Sequence, residues 1–336
     1  MNTSTPCDLS TFTTFAVKAT TDHLVTVKNS DDILRFLQQE SHAHPILVLG
    51  SGSNVLLTGH YPGWILHNQI KGIEIIKENN FHAWVKVGAG EIWHDLVMYS
   101  IEKNFSGIEN LSLIPGTVGA APIQNIGAYG VEFASVMHSL NAIDLITGEQ
   151  VSLSNKTCEF EYRDSIFKNK AKDRYFIIDV TLKLHKHHQF NTSYQSLKQH
   201  LEQDPEPLSL KRISQAVIDI RNSKLPNPTR LPNAGSFFKN PHLSQQETDQ
   251  LKKIDKNAPL FPSETACSKI PAAWLIDQCR LKGKIQNQVG TYEQQAVVIV
   301  NHGTPSGAQI AQFAKYVQRT VHSKFGIWLE PEVRII

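Results

Sequence analysis

The sequence predicts an α+β fold, and its last third gives the clearest evidence. Helix patterns cover Ala272–Leu281 and Ser306–Phe325, and a glycine follows closely behind each, as at many helix ends. The second helix opens with the serine and glutamine spacing of a capping box. Strand patterns at 295–301 and 327–335 precede and follow that helix. Together these elements predict an α+β unit at the carboxyl end.

The first two thirds also carry strand and helix patterns. Ser30 is placed to cap a helix whose apolar face includes Ile33 and Leu37. A second helix is expected over 91–104, and a third from 209 onward. Strands are expected at Ile46–Leu49, in a hairpin around 78–80, and at 136–153 and 175–184.

Two segments show no regular period. Residues 106–132 are rich in glycine and carry little charge, and they are too apolar for a solvated linker. We therefore expect a loop packed against the rest of the protein. Residues 185–208 are polar and carry Tyr194, which favours a mobile loop. Pro226 and Pro228 end the helix that starts at 209 and mark the expected domain boundary.

Composition and charge exclude several classes of protein. The chain has 336 residues, with 33 Lys and Arg against 31 Asp and Glu and a net charge of +2. This balance argues against a nucleic-acid-binding surface, and no apolar run approaches the ~20 residues of a membrane span. Four cysteines without CxxC spacing predict free thiols in the cytoplasm, and the amino-terminal stretch lacks a signal-peptide pattern. The histidines lack the spacing of a metal site, so no metal is expected.

Four short motifs place polar groups where a ligand or a reaction would use them. Residues 50–54 (GSGSN) follow an apolar strand and suit a phosphate, although a plain strand–turn–strand is the commoner origin of such a pattern. Arg163 suits a carboxylate or enolate, but an ion pair with Asp164 is the simpler explanation. Ser236, in NAGSFFKN, suits proton donation, against the alternative of a turn into a buried strand. Glu332 lies in an alternating pattern typical of a strand with one face in solvent.

Taken together, these motifs are specific. The sequence resembles the family of UDP-N-acetylenolpyruvoylglucosamine reductases, also called UDP-N-acetylmuramate dehydrogenases, in its longer type I form. The resemblance runs from Thr14 to Arg334. Its segments are, in order, GSGSN, IPGTVGAAPIQNIGAYGVE, YRDSIFK, SKLP, NAGSFFKNP, AAWLIDQ and WLEPEVR. Ala16 departs from the pattern, because many relatives have glycine there.

The resemblance implies a fold, a cofactor and a reaction. The fold is α+β, with a two-subdomain FAD-binding part of the vanillyl-alcohol-oxidase-like (PCMH-type) class at 1–70 and 71–223 and a C-terminal α+β substrate domain at 224–336. The family passes a hydride from NADPH through non-covalent FAD to the enolpyruvyl double bond of UDP-N-acetylglucosamine enolpyruvate. The product, UDP-N-acetylmuramate, is a peptidoglycan precursor. The resemblance implies a cytoplasmic monomer without a nucleic-acid, membrane or obligatory protein partner.

The resemblance also assigns roles to individual residues. Ser236 matches the proton donor, and Arg163 and Glu332 match groups that stabilise and help protonate the enolic intermediate. The matches to contacts with substrate or nicotinamide are Tyr129, Tyr194, Arg221, Lys224, Asn240 and Gln295. The matches within the FAD-binding segments are Gly50, Ser51, Gly52, Ser53, Asn54, Pro115, Gly116, Gly119, Gln124, Asn125 and Gly127.

The chemistry of the reaction suits the catalytic assignments. Hydride addition to an enolpyruvyl group leaves carbanion character beside the carboxylate, and the Arg163 cation would delocalise that charge. A hydroxyl must then protonate the second carbon, which suits Ser236. Serine is a poor acid in water, so it needs a neighbour such as Lys224 or Glu332.

Two other classes of protein stay open at this point. An FAD-dependent oxidase of the same fold often carries a covalent tether, and Cys158 and Cys267 lie outside the glycine-rich segments. A flavin- or sugar-nucleotide-binding module has no need for Ser236, Arg163 and Glu332 together. NADPH consumption that depends on the enolpyruvyl nucleotide would separate all three.

Overall fold

A computed structural model describes residues 6–39, 44–204, 206–263 and 266–336, and it contains the expected mixture of helices and strands. The helices are α1 Ser30–Gln39, α2 Trp93–Glu102, α3 Gln195–Glu202, α4 Leu210–Lys224, α5 Gln245–Ile254, α6 Ala272–Gln278 and α7 Gly307–Phe325. The strands are β1 Cys7–Asp8, β2 Thr20–Val27, β3 Ile46–Leu49, β4 Val55–Leu56, β5 His60–Asn68, β6 Ile73–Glu78, β7 His82–Gly88, β8 Gly127–Ala128, β9 Val131–Glu132, β10 Met137–Asp144, β11 Gln150–Ser154, β12 Tyr175–His185, β13 Asn233–Ser236, β14 His242–Leu243, β15 Ser268–Lys269, β16 Ile285–Gln286, β17 Val289–Thr291, β18 Val298–Asn301 and β19 Arg334–Ile335. No helix in these ranges combines the length and the apolar character needed to cross a membrane.

The chain divides into two compact units that interleave along the sequence. Unit 1 comprises Met1–Cys7, Thr21–Ser51 and Pro62–Asn222, and unit 2 comprises Asp8–Thr20, Gly52–Tyr61 and Ser223–Ile336. Two short segments of the amino-terminal part therefore belong with the carboxyl-terminal third. The three-part division at 1–70, 71–223 and 224–336 stays a prediction.

Unit 1 is built on the antiparallel sheet β11-β10-β12-β7-β6. Alternate residues of its central strands, Val85, Val87 and Val180, are fully buried and share one apolar cluster with Trp93 and Leu96 of α2. This alternation is the pattern of a sheet with one face in the core. A smaller sheet places β5 between β2 and β3, with β3 and β5 parallel.

The glycine-rich loop, residues 106–132, lies against this core as expected. It contains short 3₁₀ turns at Glu109–Leu111 and Val118–Ala120, and the hairpin β8–β9. Leu111 and Val118 are fully buried in the apolar cluster of the sheet. Its apolar composition thus reflects packing rather than solvation.

The polar segment 185–208 contains helix α3, so the expectation of an irregular segment was wrong for this part, and its mobility stays a prediction. Leu197 and Leu201 of α3 are buried against Ile213 and Val217 of α4. Two apolar residues at i and i+4 are enough to dock a short helix onto a longer one. Tyr194 immediately precedes α3.

Unit 2 packs α7 on the sheet β13-β18-β17-β16, and α5 and α6 contact α7 in the same apolar cluster. Strand β18 is buried along its whole length, as a central strand covered by helices must be. Helix α7 confirms both expected ends, because Ser306 and Gln309 form the capping box and Gly326 ends the helix with φ +72°. Strand β19 pairs in parallel with β4.

Several element boundaries differ from the expectations. The side chain of Asn29, rather than Ser30, accepts the Asp32 N–H at the start of α1. Helix α2 begins at Trp93, which leaves Ile92 exposed. The expected strands at 295–301 and 327–335 shorten to β18 and β19, helix α6 ends at Gln278, and α5 was not expected.

Candidate active site

In unit 1, the end of strand β3 meets the glycine-rich loop at very short range. A Cβ added at Gly50 would lie 2.3 Å from Thr117 Oγ1, and one at Gly119 would lie 2.6 Å from Ala89 Cβ. The Gly119 N–H also donates to the Ala89 carbonyl at 2.8 Å, which fixes the loop on the neighbouring backbone. These contacts explain why both residues are glycines. A side chain at Gly50 would collide with Thr117, and a side chain at Gly119 would collide with Ala89.

The residue after Gly50 has a buried hydroxyl group without a hydrogen-bond partner in the described part of the chain. The Ser51 Oγ is enclosed and has no hydrogen-bond partner among the described residues. A buried hydroxyl without a partner is costly, so this position suits a ligand oxygen such as that of a phosphate. The residues at the end of β3 therefore fit the phosphate-binding role expected for Gly50 and Ser51.

The remaining residues of the GSGSN motif belong to unit 2. Gly52 has φ +59°, and a Cβ there would lie 2.1 Å from the Phe12 carbonyl oxygen. The Asn54 side chain donates to the Glu332 carbonyl at 3.1 Å, and its carbonyl accepts the Arg334 N–H. Asn54 thus ties β4 to the chain around Glu332.

Asn125 anchors the middle of the glycine-rich loop. Its side-chain nitrogen donates to Glu132 Oε2 at 2.7 Å and to the Glu161 carbonyl at 3.0 Å, while its oxygen accepts the Ala134 N–H at 2.9 Å. Both donor hydrogens are therefore used inside the protein, and a cofactor contact at this residue would come from its main chain.

Arg163 occupies the second central position of a tight turn. Glu161 and Asp164 exchange main-chain hydrogen bonds across this turn, and Arg163 has φ +54°. Its guanidinium donates to the carbonyls of Gly127 and, at 3.4 Å, Asn125. The Asp164 carboxylate accepts instead from Ser165 and Asn169. The turn and the loop thus orient the guanidinium together.

Arg221, on helix α4, adds a second cation to this part of unit 1. Its Nε is enclosed and bonds to no described residue. Burial lowers the pKa of Arg221, the Tyr129 hydroxyl opposes this shift, and the charge of Arg163 adds to it. The charge of Arg163 thus disfavours the charged form of Arg221, and an anion beside the two guanidinium groups would offset this repulsion.

Two tyrosines complete this group. Tyr129 has φ +49°, and burial raises the pKa of its hydroxyl. Its ring meets the ring of Tyr194 edge-on, with centroids 5.3 Å apart. Tyr194 is half exposed. The structure therefore brings four of the expected residues into one cluster: Tyr129, Arg163, Tyr194 and Arg221.

His94 belongs to the same surroundings, although no sequence motif points to it. Its Nδ1 accepts the Leu113 N–H at 3.0 Å, and Leu113 has φ +57°. Burial lowers the pKa of His94; the Asp95 carboxylate opposes this shift and the Arg221 charge adds to it. The neutral imidazole is thus the favoured form of His94, and its Nδ1 holds the loop at Leu113 through this hydrogen bond.

His94 predicts an acid-dependent loss of stability. Because its pKa is lower in the folded than in the unfolded chain, the unfolded chain binds more protons as the pH falls below about 6.5. The free energy of unfolding should therefore fall with pH, and His94→Phe should remove part of that dependence while losing about 1 kcal/mol near neutrality. Urea unfolding at several pH values measures both effects. Parallel pH curves for the two proteins would contradict the assignment.

In unit 2, Ser236 ends strand β13 beside a bulge. Gly235 has φ +69°, and a Cβ there would meet no described atom within 4 Å. Ser236 is exposed, and its hydroxyl forms no hydrogen bond with a described residue, whereas Phe237 next to it is fully buried. The Phe237 carbonyl accepts the Glu332 N–H at 2.8 Å. Ser236 and Glu332 are thus held on directly neighbouring backbones.

The other expected residues of unit 2 are less directly connected. The Asn240 side-chain oxygen accepts the Ala272 N–H at 2.9 Å, which gives it a capping role at α6. Gln295 is half-buried, and its carbonyl accepts the Val298 N–H. Lys224 is exposed at the end of α4. Ligand contacts of these three residues stay predictions.

Comparison with known proteins gives two family matches that together cover most of the chain. Residues 21–154 match the FAD binding domain model, and residues 227–336 match the C-terminal domain of UDP-N-acetylenolpyruvoylglucosamine reductase. A UDP-N-acetylenolpyruvoylglucosamine reductase from Amoebophilus asiaticus is 47% identical over 98% of this chain and 97% of the relative. The reductase of Escherichia coli (strain K12) is 42% identical over 98% and 95%.

The structural comparison agrees at the level of the fold. The crystal structure of the reductase of the same name from Thermus caldophilus aligns with a TM-score of 0.67, covering 98% of this chain and 97% of that one. The two sequences are 22% identical, so this likeness supports the architecture alone.

Proposed function

The chain belongs to the UDP-N-acetylenolpyruvoylglucosamine reductase family, and from this premise we propose how its residues share the reaction. The protein is an FAD-dependent oxidoreductase that uses NADPH to reduce UDP-N-acetylglucosamine enolpyruvate to UDP-N-acetylmuramate in peptidoglycan synthesis. Bound FAD supplies the relay that carries the hydride from NADPH to the enolpyruvyl group. The protein supplies binding, orientation and proton delivery.

The FAD phosphates are assigned to the end of β3 and the glycine-rich loop. Support comes from the unpartnered Ser51 hydroxyl and from the close approach of Gly50 to Thr117. Small residues let main-chain N–H groups approach a phosphate, and a hydroxyl adds a further donor. Gly116 and Gly119 hold the loop against the core, because the Gly116 carbonyl accepts the Trp93 N–H and the Gly119 N–H donates to the Ala89 carbonyl.

The anionic parts of the substrate are assigned to the arginine and tyrosine cluster. Arg221 lies with an unpartnered Nε beside Tyr129, and Tyr194 contacts Tyr129. A diphosphate would compensate the mutual repulsion of the arginines, and the tyrosine hydroxyls would donate to its oxygens. Arg163 is assigned to the carboxylate, where negative charge develops after hydride transfer.

Proton delivery is assigned to Ser236, with Glu332 as its neighbour. The hydroxyl of Ser236 is free of described partners, and the hydrogen bond from Glu332 N–H to the Phe237 carbonyl keeps the two residues adjacent. This hydrogen bond is the single observation that carries the assignment. A serine oxygen gives its proton to carbon only when neighbouring groups restore it, which is the role proposed for Glu332.

The experiment that tests the function combines absorbance and turnover. The purified protein should be yellow, should release FAD on denaturation, and should consume NADPH steadily only when the enolpyruvyl nucleotide is present. NADPH consumption in air without that nucleotide would favour the oxidase alternative. A protein that binds FAD and the nucleotide without turnover would favour a binding module.

We further propose that the protein works as a monomer in the cytoplasm. Cys158, Cys267 and Cys279 are free thiols, which suits a reducing compartment. Light scattering across a range of concentrations tests the monomer, since a dimer would show a concentration-dependent mass.

A further inference from the structure

Asn110 occupies a central place in the glycine-rich loop that the reaction chemistry does not explain. It lies in the Glu109–Leu111 turn and is 1% exposed. Its side-chain nitrogen donates to the Tyr129 carbonyl at 2.8 Å and to the Asn191 carbonyl at 2.8 Å. Its side-chain oxygen has no partner among the described residues. Because both close neighbours are acceptors, the nitrogen must face them, and the two donated bonds are what the residue contributes.

The two carbonyls belong to the two segments that carry the tyrosines. Tyr129 is itself in the left-handed region, and the Asn191 side chain donates to the Gly130 carbonyl at 2.9 Å. Ser193, next to Tyr194, donates its hydroxyl to the Asn191 side chain at 2.8 Å. Hydrogen bonds thus connect Asn110 to Tyr129 directly and, through Asn191, to Ser193, the residue before Tyr194.

The turn that holds Asn110 is also bonded to helix α4. Ser112 and Ser214 share a hydrogen bond of 2.8 Å between their hydroxyls, and both residues are buried. Ser214 lies on the helix that carries Arg221. The Glu109–Leu111 turn and its neighbour Ser112 are therefore connected to each element that carries Tyr129, Tyr194 or Arg221.

We propose that Asn110 is a positioning residue of the substrate site, which sets the relative placement of Tyr129 and Tyr194. It acts through these tyrosines rather than by touching the nucleotide. This inference rests on the proposed function, because the tyrosines matter only if they bind the substrate. A left-handed tyrosine needs an external restraint to stay in place, and two carbonyl bonds from one rigid amide provide it.

Asn155 provides a matched control in the same unit. Its side-chain nitrogen also donates to two main-chain carbonyls, those of Ala134 at 2.7 Å and Met137 at 3.0 Å. Neither carbonyl lies in a segment with an assigned substrate residue. Asn110→Ala and Asn155→Ala therefore remove the same number of bonds of the same kind, with different expected consequences.

The first measurement is hydrogen exchange, which does not depend on turnover. Asn110→Ala should accelerate amide exchange at 128–131 and 190–195, and Asn155→Ala should leave both segments unchanged. If Asn110→Ala does not fold, Asn110→Ser takes its place. Serine keeps a single hydrogen-bond donor, so a smaller acceleration of amide exchange is expected. Unchanged exchange at both segments in a folded Asn110 variant would overturn the proposal.

The second measurement is a kinetic cycle with the holoenzyme. Asn110→Ala should raise the KM for the enolpyruvyl nucleotide about tenfold or more with little change in FAD content, because misplaced binding groups lose much of their effect. This rise in KM should be smaller when Asn110→Ala is introduced into a Tyr129→Ala/Tyr194→Ala double variant, since Asn110 would then have no tyrosine to position. An equal rise in that background, or in Asn155→Ala, would overturn the positioning role. A wild-type protein without turnover would refute the proposed function instead. Hydrogen exchange would still decide whether Asn110 holds the segments 128–131 and 190–195 in place.

Discussion

Ser236→Ala should slow one half of the reaction by about 10²- to 10⁴-fold and leave the other half close to the wild-type rate. Bleaching of the visible absorbance by NADPH needs no proton from Ser236, so it should persist. Return of the absorbance on adding the enolpyruvyl nucleotide requires protonation of carbon, so it should become slow. Stopped-flow absorbance of each half-reaction measures the two rates separately.

The structure provides an internal control for this prediction. The Ser236 hydroxyl is exposed and forms no hydrogen bond with a described residue, so it contributes little to the free energy of unfolding. The melting temperature of Ser236→Ala should therefore stay near that of the wild type. Equal slowing of both half-reactions with a lowered melting temperature would identify Ser236 as a turn residue. Fast return of the absorbance would also refute the proton-donor role.

The fold was predictable where one element buries an apolar face. The short strand β3, the hairpin β6–β7 and both ends of α7 follow from apolar runs, turn residues and capping patterns, which act locally. Helix α3 was missed because only Leu197 and Leu201 mark it, and their partners lie on α4. The start of β18 differs from the expected strand because pairing with β13 and β17, rather than composition, decides where a strand begins.

The site shows the same division between local and distant causes. The resemblance to the family singled out the glycines at 50 and 119, and the structure explains them, since a Cβ would lie 2.3 Å and 2.6 Å from a neighbouring atom. His94 and Asn110 could not be singled out, since their importance comes from hydrogen bonds to residues 19 positions away or more, Leu113, Tyr129 and Asn191. Nothing in the spacing of a lone histidine or asparagine indicates such partners.

Ala16 illustrates how a departure from the family pattern is accommodated. The residue has φ +50°, a conformation that glycine adopts without strain, and this explains why many relatives have glycine there. Its side chain is exposed, so the extra Cβ meets solvent rather than the core. Alanine at this position therefore lowers the free energy of unfolding only through the backbone conformation of the residue itself.

Arg163→Lys is expected to have the second large effect, about 10²- to 10³-fold on the half-reaction with the enolpyruvyl nucleotide. The Arg163 guanidinium donates to the Gly127 and Asn125 carbonyls, and these hydrogen bonds fix the orientation of the planar fork that recognises a carboxylate. A lysine keeps the charge but lacks the planar fork, and it cannot make both sets of bonds in a defined orientation. Bleaching by NADPH should change much less, because no carboxylate charge develops in that step.

Arg174→Lys is the control that separates orientation from charge. Arg174 also lies in unit 1, and its guanidinium pairs at 2.7 Å with Asp144, a residue without an assigned role in the reaction. Both variants lose a guanidinium and keep a positive charge, so a general effect of the substitution on unit 1 would appear in both. Selective loss in Arg163→Lys, with single-turnover rates unchanged in Arg174→Lys, supports stabilisation of the developing charge by the oriented fork. Full activity of Arg163→Lys would show that a nearby positive charge is sufficient, and the assignment to Arg163 geometry would then be wrong.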